Sequence, residues 1–200
     1  MFRQSYHPIF QTFVGIAIFI AAIIFFSSIY IVDERKQVFV TRFGEIVRGP
    51  INAPGTTNQA GLYFRSPFIS KVHEFEKRYL EWDGDPNEVI TKDKRFIHID
   101  TYARWRIMNA DIFYKNLQDE YTAKLRLSEI LGSAVHNVVA ANNLVEVIRS
   151  HERESIVADD QVLDDQSQLE PFKQGRSMLA QLVMEDANKN LPQLGIKLLD

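Results

Sequence analysis

Hydrophobic and polar positions change their period three times along this chain, and the first stretch has no polar period at all. Phe13 to Val32 reads FVGIAIFIAAIIFFSSIYIV, twenty positions without a formal charge. At about 1.5 Å rise per residue a helix of that length covers about 30 Å, the hydrocarbon thickness of a bilayer, and satisfies its own backbone hydrogen bonds. A transmembrane helix over 13–32, after a short tail over 1–12, is therefore expected, with Phe13, Ile16, Ile20, Ile23, Phe26 and Tyr30 as anchor residues. A cleaved secretory signal would have an apolar core of about 7–15 residues and a small-residue cleavage site. Here bulky Phe25, Phe26, Ile29 and Tyr30 run up to Asp33, and Tyr6 and Tyr30 bracket the run at the headgroup level. Arg3 precedes it and Arg35, Lys36, Arg42 and Arg48 follow, so a literal Lys/Arg count places the body in the cytoplasm. A long folded domain translocates largely regardless of charge, which leaves the sidedness open.

The period then becomes two. Lys36 to Arg48 alternates through Val38, Val40 and Arg42 and reads as a strand, with Gly44 as a turn or bulge. Gly49 to Gly61, with Pro50, Pro54 and Gly55, reads as a loop. Leu62, Tyr63, Phe64, Phe68 and Ile69 surround Pro67, which cannot donate to a ladder, so this segment is no central strand throughout. Tyr63, Phe64, Phe68 and Ile69 suit either core or a loop lying against the bilayer. Val72 to Trp82 resumes an extended pattern up to the turn at Gly84–Asn87. Ile97, Ile99, Ala103, Trp105 and Ile107 share one parity against His98, Asp100, Arg104 and Arg106, a half-buried strand over Phe96–Ile107. Val89, Ile90 and Thr91 precede it across Lys92-Asp93-Lys94 as a hairpin.

After Asn109 the spacing turns helical. Asn109 or Asp111 can cap a helix whose apolar face holds Leu127, Ile130, Leu131, Ala134, Val135, Val138 and Val139. Asn143 with Glu146 three residues on forms a capping-box pattern for a second helix, with Leu144, Val147 and Ile148 inward. Residues 158–175 are acidic and read as a solvated linker or insertion. A third helix over Arg176–Leu191 places Leu179, Leu182, Val183 and Ala187 on its apolar side, Pro192 ends it, and Gly195–Asp200 starts a strand.

A net charge of −3 gives no electrostatic footprint for nucleic acid. The absence of cysteine excludes disulfides, thiolate nucleophiles and cysteine zinc sites. No HExxH, GxSxG or GxxxxGK[ST] string occurs, and His151-Glu152-Arg153-Glu154 lacks a second histidine one turn on. Asp159, Asp160, Asp164 and Asp165 lack the ligand spacing and turn glycine of an EF-hand. No catalytic, cofactor-binding or metal-binding residues are therefore assigned, although a membrane-anchored peptidase with a site assembled from distant positions stays an alternative.

The order of motifs is more specific than any one of them. Behind the anchor come Val38–Gly44 (VFVTRFG), Ala60–Ile69 (AGLYFRSPFI), Ile90–Lys94 (ITKDK), Asp100–Ile107 (DTYARWRI) and Leu144–Ile156 (LVEVIRSHERESI). This series closely resembles the SPFH or band-7 family of stomatins, prohibitins, flotillins and the bacterial HflK–HflC proteins, and most of all its HflC-like branch. The resemblance implies an α+β domain of antiparallel-type strands packed with helices over 33–157, closed by the helix and strand of 176–200. Phe43, Gly44, Gly61, Pro67, Thr91, Asp100, Trp105 and Arg106 are its structural motif positions here. Ala60-Gly61 stands where the family has Pro-Gly, Pro54-Gly55 sits within an apparent insertion, and His151 interrupts the last motif.

The resemblance further implies a non-catalytic scaffold in a bacterial inner membrane, with its N-terminus cytoplasmic and its body periplasmic. Its partners would be membrane lipid, further copies, an HflK-like paralogue and the membrane AAA protease FtsH, without cofactor or nucleic acid. A stomatin-like regulator of channels or lipid domains is the alternative within the family. The family's long helical region would begin after Asp200, so a partial sequence is expected.

Overall fold

The apolar run folds earlier than its composition suggests: α1 spans His7–Ser27, and Ile29–Val32 leaves it as strand β1. The backbone amide of Ser28 donates to the Ile24 and Phe25 carbonyls (3.1 Å each) and its hydroxyl donates to Ile24 O (2.8 Å), which ends the helix. The expected helix over 13–32 is thus corrected at both ends, and Tyr30 lies on a strand. The β-branched Ile29, Ile31 and Val32 favour that strand, which finds a partner further on. The computed structural model describes residues 7–150 and 175–200, with side chains in α1 from Gln11 onward. Among the described residues no helix is long and apolar enough to cross a membrane. The acidic segment and the end of the Leu144–Ile156 motif lie outside the described residues.

The chain divides into residues 1–78 with 108–111, and residues 79–107 with 112–200. In the first unit β2 (Lys36–Arg42) and β3 (Glu45–Ile51) form a hairpin, where one strand to Arg48 was expected. Its two-residue turn holds Phe43 at φ 53 and Gly44 at φ 89, the pair of positive angles that matches strand twist. β3 continues through Gly49 and Pro50, so the expected loop starts only after Ile51; Pro50 is tolerated because β3 is an edge strand. β4 (Gly61–Phe64) pairs antiparallel with β1, and β5 (Ser70–Glu76) pairs with β2, giving the sheet order β3-β2-β5.

Residues Gln37 to Thr41 of β2 are all buried, as a strand covered on both faces must be. Val32, Val38 and Ile51 form the core with Tyr30, Tyr63 and Val72 against them. Asn52, buried at φ 61, donates its amide to the Glu34 and Lys36 carbonyls (2.9 Å each) and accepts from Lys77 Nζ (2.8 Å), fastening the β1–β2 turn.

In the second unit β6 (Leu80–Asp83), β9 (Tyr102–Ile107) and β10 (Ile196–Leu198) form an antiparallel sheet ordered β10-β9-β6, and β7 (Asn87–Ile90) pairs with β8 (Phe96–Ile99). The strand expected over Phe96–Ile107 is therefore two strands. The backbone breaks at Asp100-Thr101, where the Thr101 carbonyl accepts from Gly84 N (2.9 Å). The helical stretch expected after Asn109 is likewise two helices, α2 (Ala110–Asn116) and α3 (Glu120–Ala141). Asn109 Oδ1 accepts from Asp111 N (3.2 Å) at the first, while Gln118 at φ 67 turns the chain and Asp119 caps the second by accepting from Thr122 N (2.7 Å).

The capping box expected at Asn143 does not form. The cap of α4 (Leu144–Ile148) comes instead from Asp93, whose carboxylate accepts from Leu144 N at 3.1 Å. α5 (Arg176–Asn190) buries Leu179 and Ala187 but leaves Leu182 exposed, contrary to its expected inward face. Pro192–Leu194 forms a 3-10 turn, Gly195 at φ 75 reverses the chain, and β10 pairs with β9. Trp105 and Phe113, fully buried, stack with centroids 6.4 Å apart, and Trp82 Nε1 donates to Ser128 Oγ (2.9 Å).

Candidate membrane-facing site

The end of α1 and one end of the β3-β2-β5 sheet meet within the first unit. Ile29 pairs with Phe64, and the Ser28 carbonyl accepts from Arg65 N (2.8 Å), so no free linker separates helix from sheet. The rings of Phe25 and Phe64 stand 6.1 Å apart. Arg42 pairs in register with Ser70, which puts Phe43 and Ile69 at the same sheet end. Between β4 and β5 the chain turns through Ser66, Pro67 and Phe68, with Ile69 N donating to Pro67 O (2.8 Å) and Ser70 N to Ser66 O (3.2 Å).

Two turn tips at this end carry bare phenylalanines. Phe43 and Phe68 are each 89% exposed, at φ 53 and 66. A bulky residue there is strained by about 1–2 kcal/mol, and neither ring recovers that by packing on its own domain. Phe64 and Ile69 are also exposed. Tyr63 belongs elsewhere: it stacks on Tyr30 at 5.8 Å and its hydroxyl donates to Gln59 O (2.7 Å). The expected loop of four therefore resolves into Tyr63 and Phe64 on strand β4, one packed and one open, and Phe68 and Ile69 on the turn. Phe13, Ile16, Ile20, Ile23 and Phe26 leave half or more of their surface open along α1.

Beside these aromatics lies a pocket of about 560 Å³ lined by Phe25, Ser28, Phe64 and the three arginines Arg42, Arg48 and Arg65. Arg42 Nη2 reaches Ser66 Oγ only at 3.5 Å, and Arg65 Nη1 donates to Ser70 O at 3.3 Å. On the same sheet Phe39 stacks on His73 (4.9 Å) and Phe75 (5.9 Å), and Thr41 Oγ1 lies 3.0 Å from His73 Nε2. Burial, with a smaller effect of Lys71, holds the His73 imidazole below its usual range.

The remaining motif positions organise the fold. Gly61 at φ 155 opens β4 and Pro67 shapes the turn. Thr91, buried, donates its hydroxyl to Asp93 Oδ1 (2.6 Å) and receives Arg95 N (3.2 Å), so the ITKDK string positions the carboxylate that caps α4. Asp100 is exposed at the β8–β9 break, and Arg106 lies 4.7 Å over the Tyr79 ring. The pocket arginines escaped the sequence reading. Their signal was the repeated basic residue before an aromatic turn, Arg42-Phe43-Gly44 and Arg65-Ser66-Pro67-Phe68.

The SPFH domain / Band 7 family matches residues 30–200, from the first strand to the last. The chain belongs to this family. Among curated SPFH relatives, Protein HflC of Treponema pallidum is 31% identical over 96% of this chain and 60% of its own length. Protein HflC of Borreliella burgdorferi is 32% identical over 88% of the chain and 54% of its own. The protein named Modulator of FtsH protease HflC in Escherichia coli K12 is 30% identical over 48% and 29%. The chain thus spans somewhat more than half the length of the first two relatives. The matched region begins at Tyr30, so α1 precedes it.

Proposed function

We propose that this SPFH chain is a single-pass, membrane-anchored and non-catalytic scaffold subunit of HflC type. In this reading it assembles with copies of itself and with an HflK-like paralogue and restrains an FtsH-like AAA protease. Its N-terminus is cytoplasmic and its body lies on the periplasmic side of a bacterial inner membrane. The observation that supports it most is the band of open apolar side chains along α1, Phe13, Ile16, Ile20, Ile23 and Phe26, joined without a linker to a domain whose relatives are named HflC. α1 has 21 residues, about 30 Å at 1.5 Å per residue. Domains tethered in a plane meet at raised effective concentration, so weak lateral contacts suffice for assembly.

Alkaline carbonate extraction followed by affinity isolation from mild detergent tests this reading. Retention in the pellet and co-isolation of a paralogue with an FtsH-like protease support it. A chain released by carbonate, or one monomeric at all concentrations, overturns it, and co-isolation with a channel instead favours the stomatin-like role. Replacing Ile23 by Arg is expected to weaken insertion by about 2.5–3.5 kcal/mol, read as a rise in the carbonate-soluble fraction.

A further inference from the structure

We infer that the pocket formed by Arg42, Arg48 and Arg65 at the foot of α1 binds the phosphate of an anionic phospholipid. Three arginines from three segments, β2, β3 and the turn after β4, line one space of about 560 Å³. None of them forms an ion pair among the described residues; Glu45, opposite Arg42 in the hairpin register, does not bridge to it. Arg65 Nε is buried and without a hydrogen-bond partner among the described residues. A buried donor left unmade is costly, and a phosphate oxygen satisfies it with a charge-assisted bond. Guanidinium is also the side chain whose planar fork matches phosphate.

Position identifies the source of that phosphate. Phe25 and Ser28, the last turn of α1 and the residue after it, form one wall, so under the anchor reading, on which this step rests, the pocket sits where the chain leaves hydrocarbon and the headgroup layer begins. The Ile24 and Phe25 carbonyls, which would oppose an anion, already accept from Ser28. Phe64 gives the pocket an apolar wall towards the acyl chains, and the open rings of Phe43 and Phe68 flank it.

The test is native mass spectrometry of the full chain in neutral micelles with three additives: dihexanoyl phosphatidylglycerol, dihexanoylglycerol and inorganic phosphate. The expected result is retention of phosphatidylglycerol over the other two. Arg48→Gln and Arg65→Gln should each weaken it about tenfold, the loss of one charge-assisted bond. The Arg48 side chain is exposed and makes no ion pair among the described residues, so Arg48→Gln reports on the pocket even where Arg65→Gln misfolds. Lys71→Gln, the same charge change on an exposed residue of β5 outside the pocket, should have no effect. Equal retention in wild type and Arg48→Gln, an equal loss in Lys71→Gln, or inorganic phosphate held as well as the lipid overturns the assignment. A chain that holds phosphatidylglycerol through these arginines yet leaves membranes in carbonate supports the site and overturns the anchor.

Discussion

Under the proposed anchor reading, Phe68 offers a perturbation whose effects on folding and on membrane contact have opposite signs. Its left-handed backbone costs about 1–2 kcal/mol, which glycine does not incur. Glycine gives back about 0.5–1 kcal/mol through the entropy of the unfolded chain. With the ring 89% exposed, only about a tenth of the roughly 1.5–3 kcal/mol available from burying a Phe side chain is lost. Phe68→Gly is therefore expected to be neutral or up to about 1 kcal/mol more stable, a rise in melting midpoint of no more than about 8 °C. Circular dichroism in fluorinated surfactant, where no hydrocarbon competes for the ring, measures this. Against a bilayer the same ring is worth about 1.5–3 kcal/mol, so its loss shifts the docked edge towards undocked by about 10- to 100-fold. Because the chain has no cysteine, Ile69→Cys carries a single environment-sensitive fluorophore beside the tip. Brominated lipid should quench that label in the parent chain and much less in Phe68→Gly. A midpoint lowered by several degrees, or equal quenching in both chains, refutes the reasoning.

Replacing Trp105 by Ala removes a fully buried ring stacked on Phe113 and should cost about 3–5 kcal/mol, read by chemical denaturation of the second unit. Asp93→Ala should lower the melting midpoint, because Thr91 Oγ1 and Leu144 N lose their acceptor. The Thr91 hydrogen bond above all holds that carboxyl below its usual range, so its contribution is present above the ordinary carboxylate value and lost as pH falls through the folded one; the variant should show a flatter acid profile. His73 has its folded pKa lowered by burial, so the unfolded chain binds more protons below about 6.5. Stability from this group is complete above that value and declines as pH falls towards the folded pKa, and His73→Phe should flatten the midpoint between about pH 5 and about pH 8.

Periodicity carried those parts of the fold in which one face is buried along a whole element. Leu127, Leu131 and Ala134 on α3 and the Ala103-Trp105-Ile107 parity on β9 are of this kind. It failed where the chain changes direction without changing its pattern. The two-residue break at Asp100-Thr101 preserves parity, so β8 and β9 read as one strand. Gln118 reaches φ 67 without a glycine to announce it, which hid the division of α2 from α3. Asn143 satisfied a local capping pattern, but the side-chain acceptor at this helix start is Asp93, 51 positions before the Leu144 amide it takes, and no local window holds that contact. At the candidate site the aromatics were legible as a cluster, whereas the arginines were not, since only strand pairing and the turn after β4 bring Arg42, Arg48 and Arg65 to one pocket.

The junction between α1 and its sheet argues for how such a chain would use weak contacts. Only Ser28 separates α1 from β1, its carbonyl is held by Arg65 N, and Phe25 lies against Phe64. A flexible tether would let the domain tumble, and each contact with lipid would then have to overcome the entropy of orienting it. Here helix and sheet are joined within one unit, so under the proposed anchor reading the Phe43 and Phe68 tips and the arginine pocket would lie beside the surface once α1 entered hydrocarbon. Their effective concentration for lipid is set by that geometry, and modest affinities are enough to fix the tilt of the domain. Under the same reading, neighbouring domains held at one tilt in one plane would lose less orientational freedom on touching, and lipid contacts at this edge would then strengthen lateral assembly.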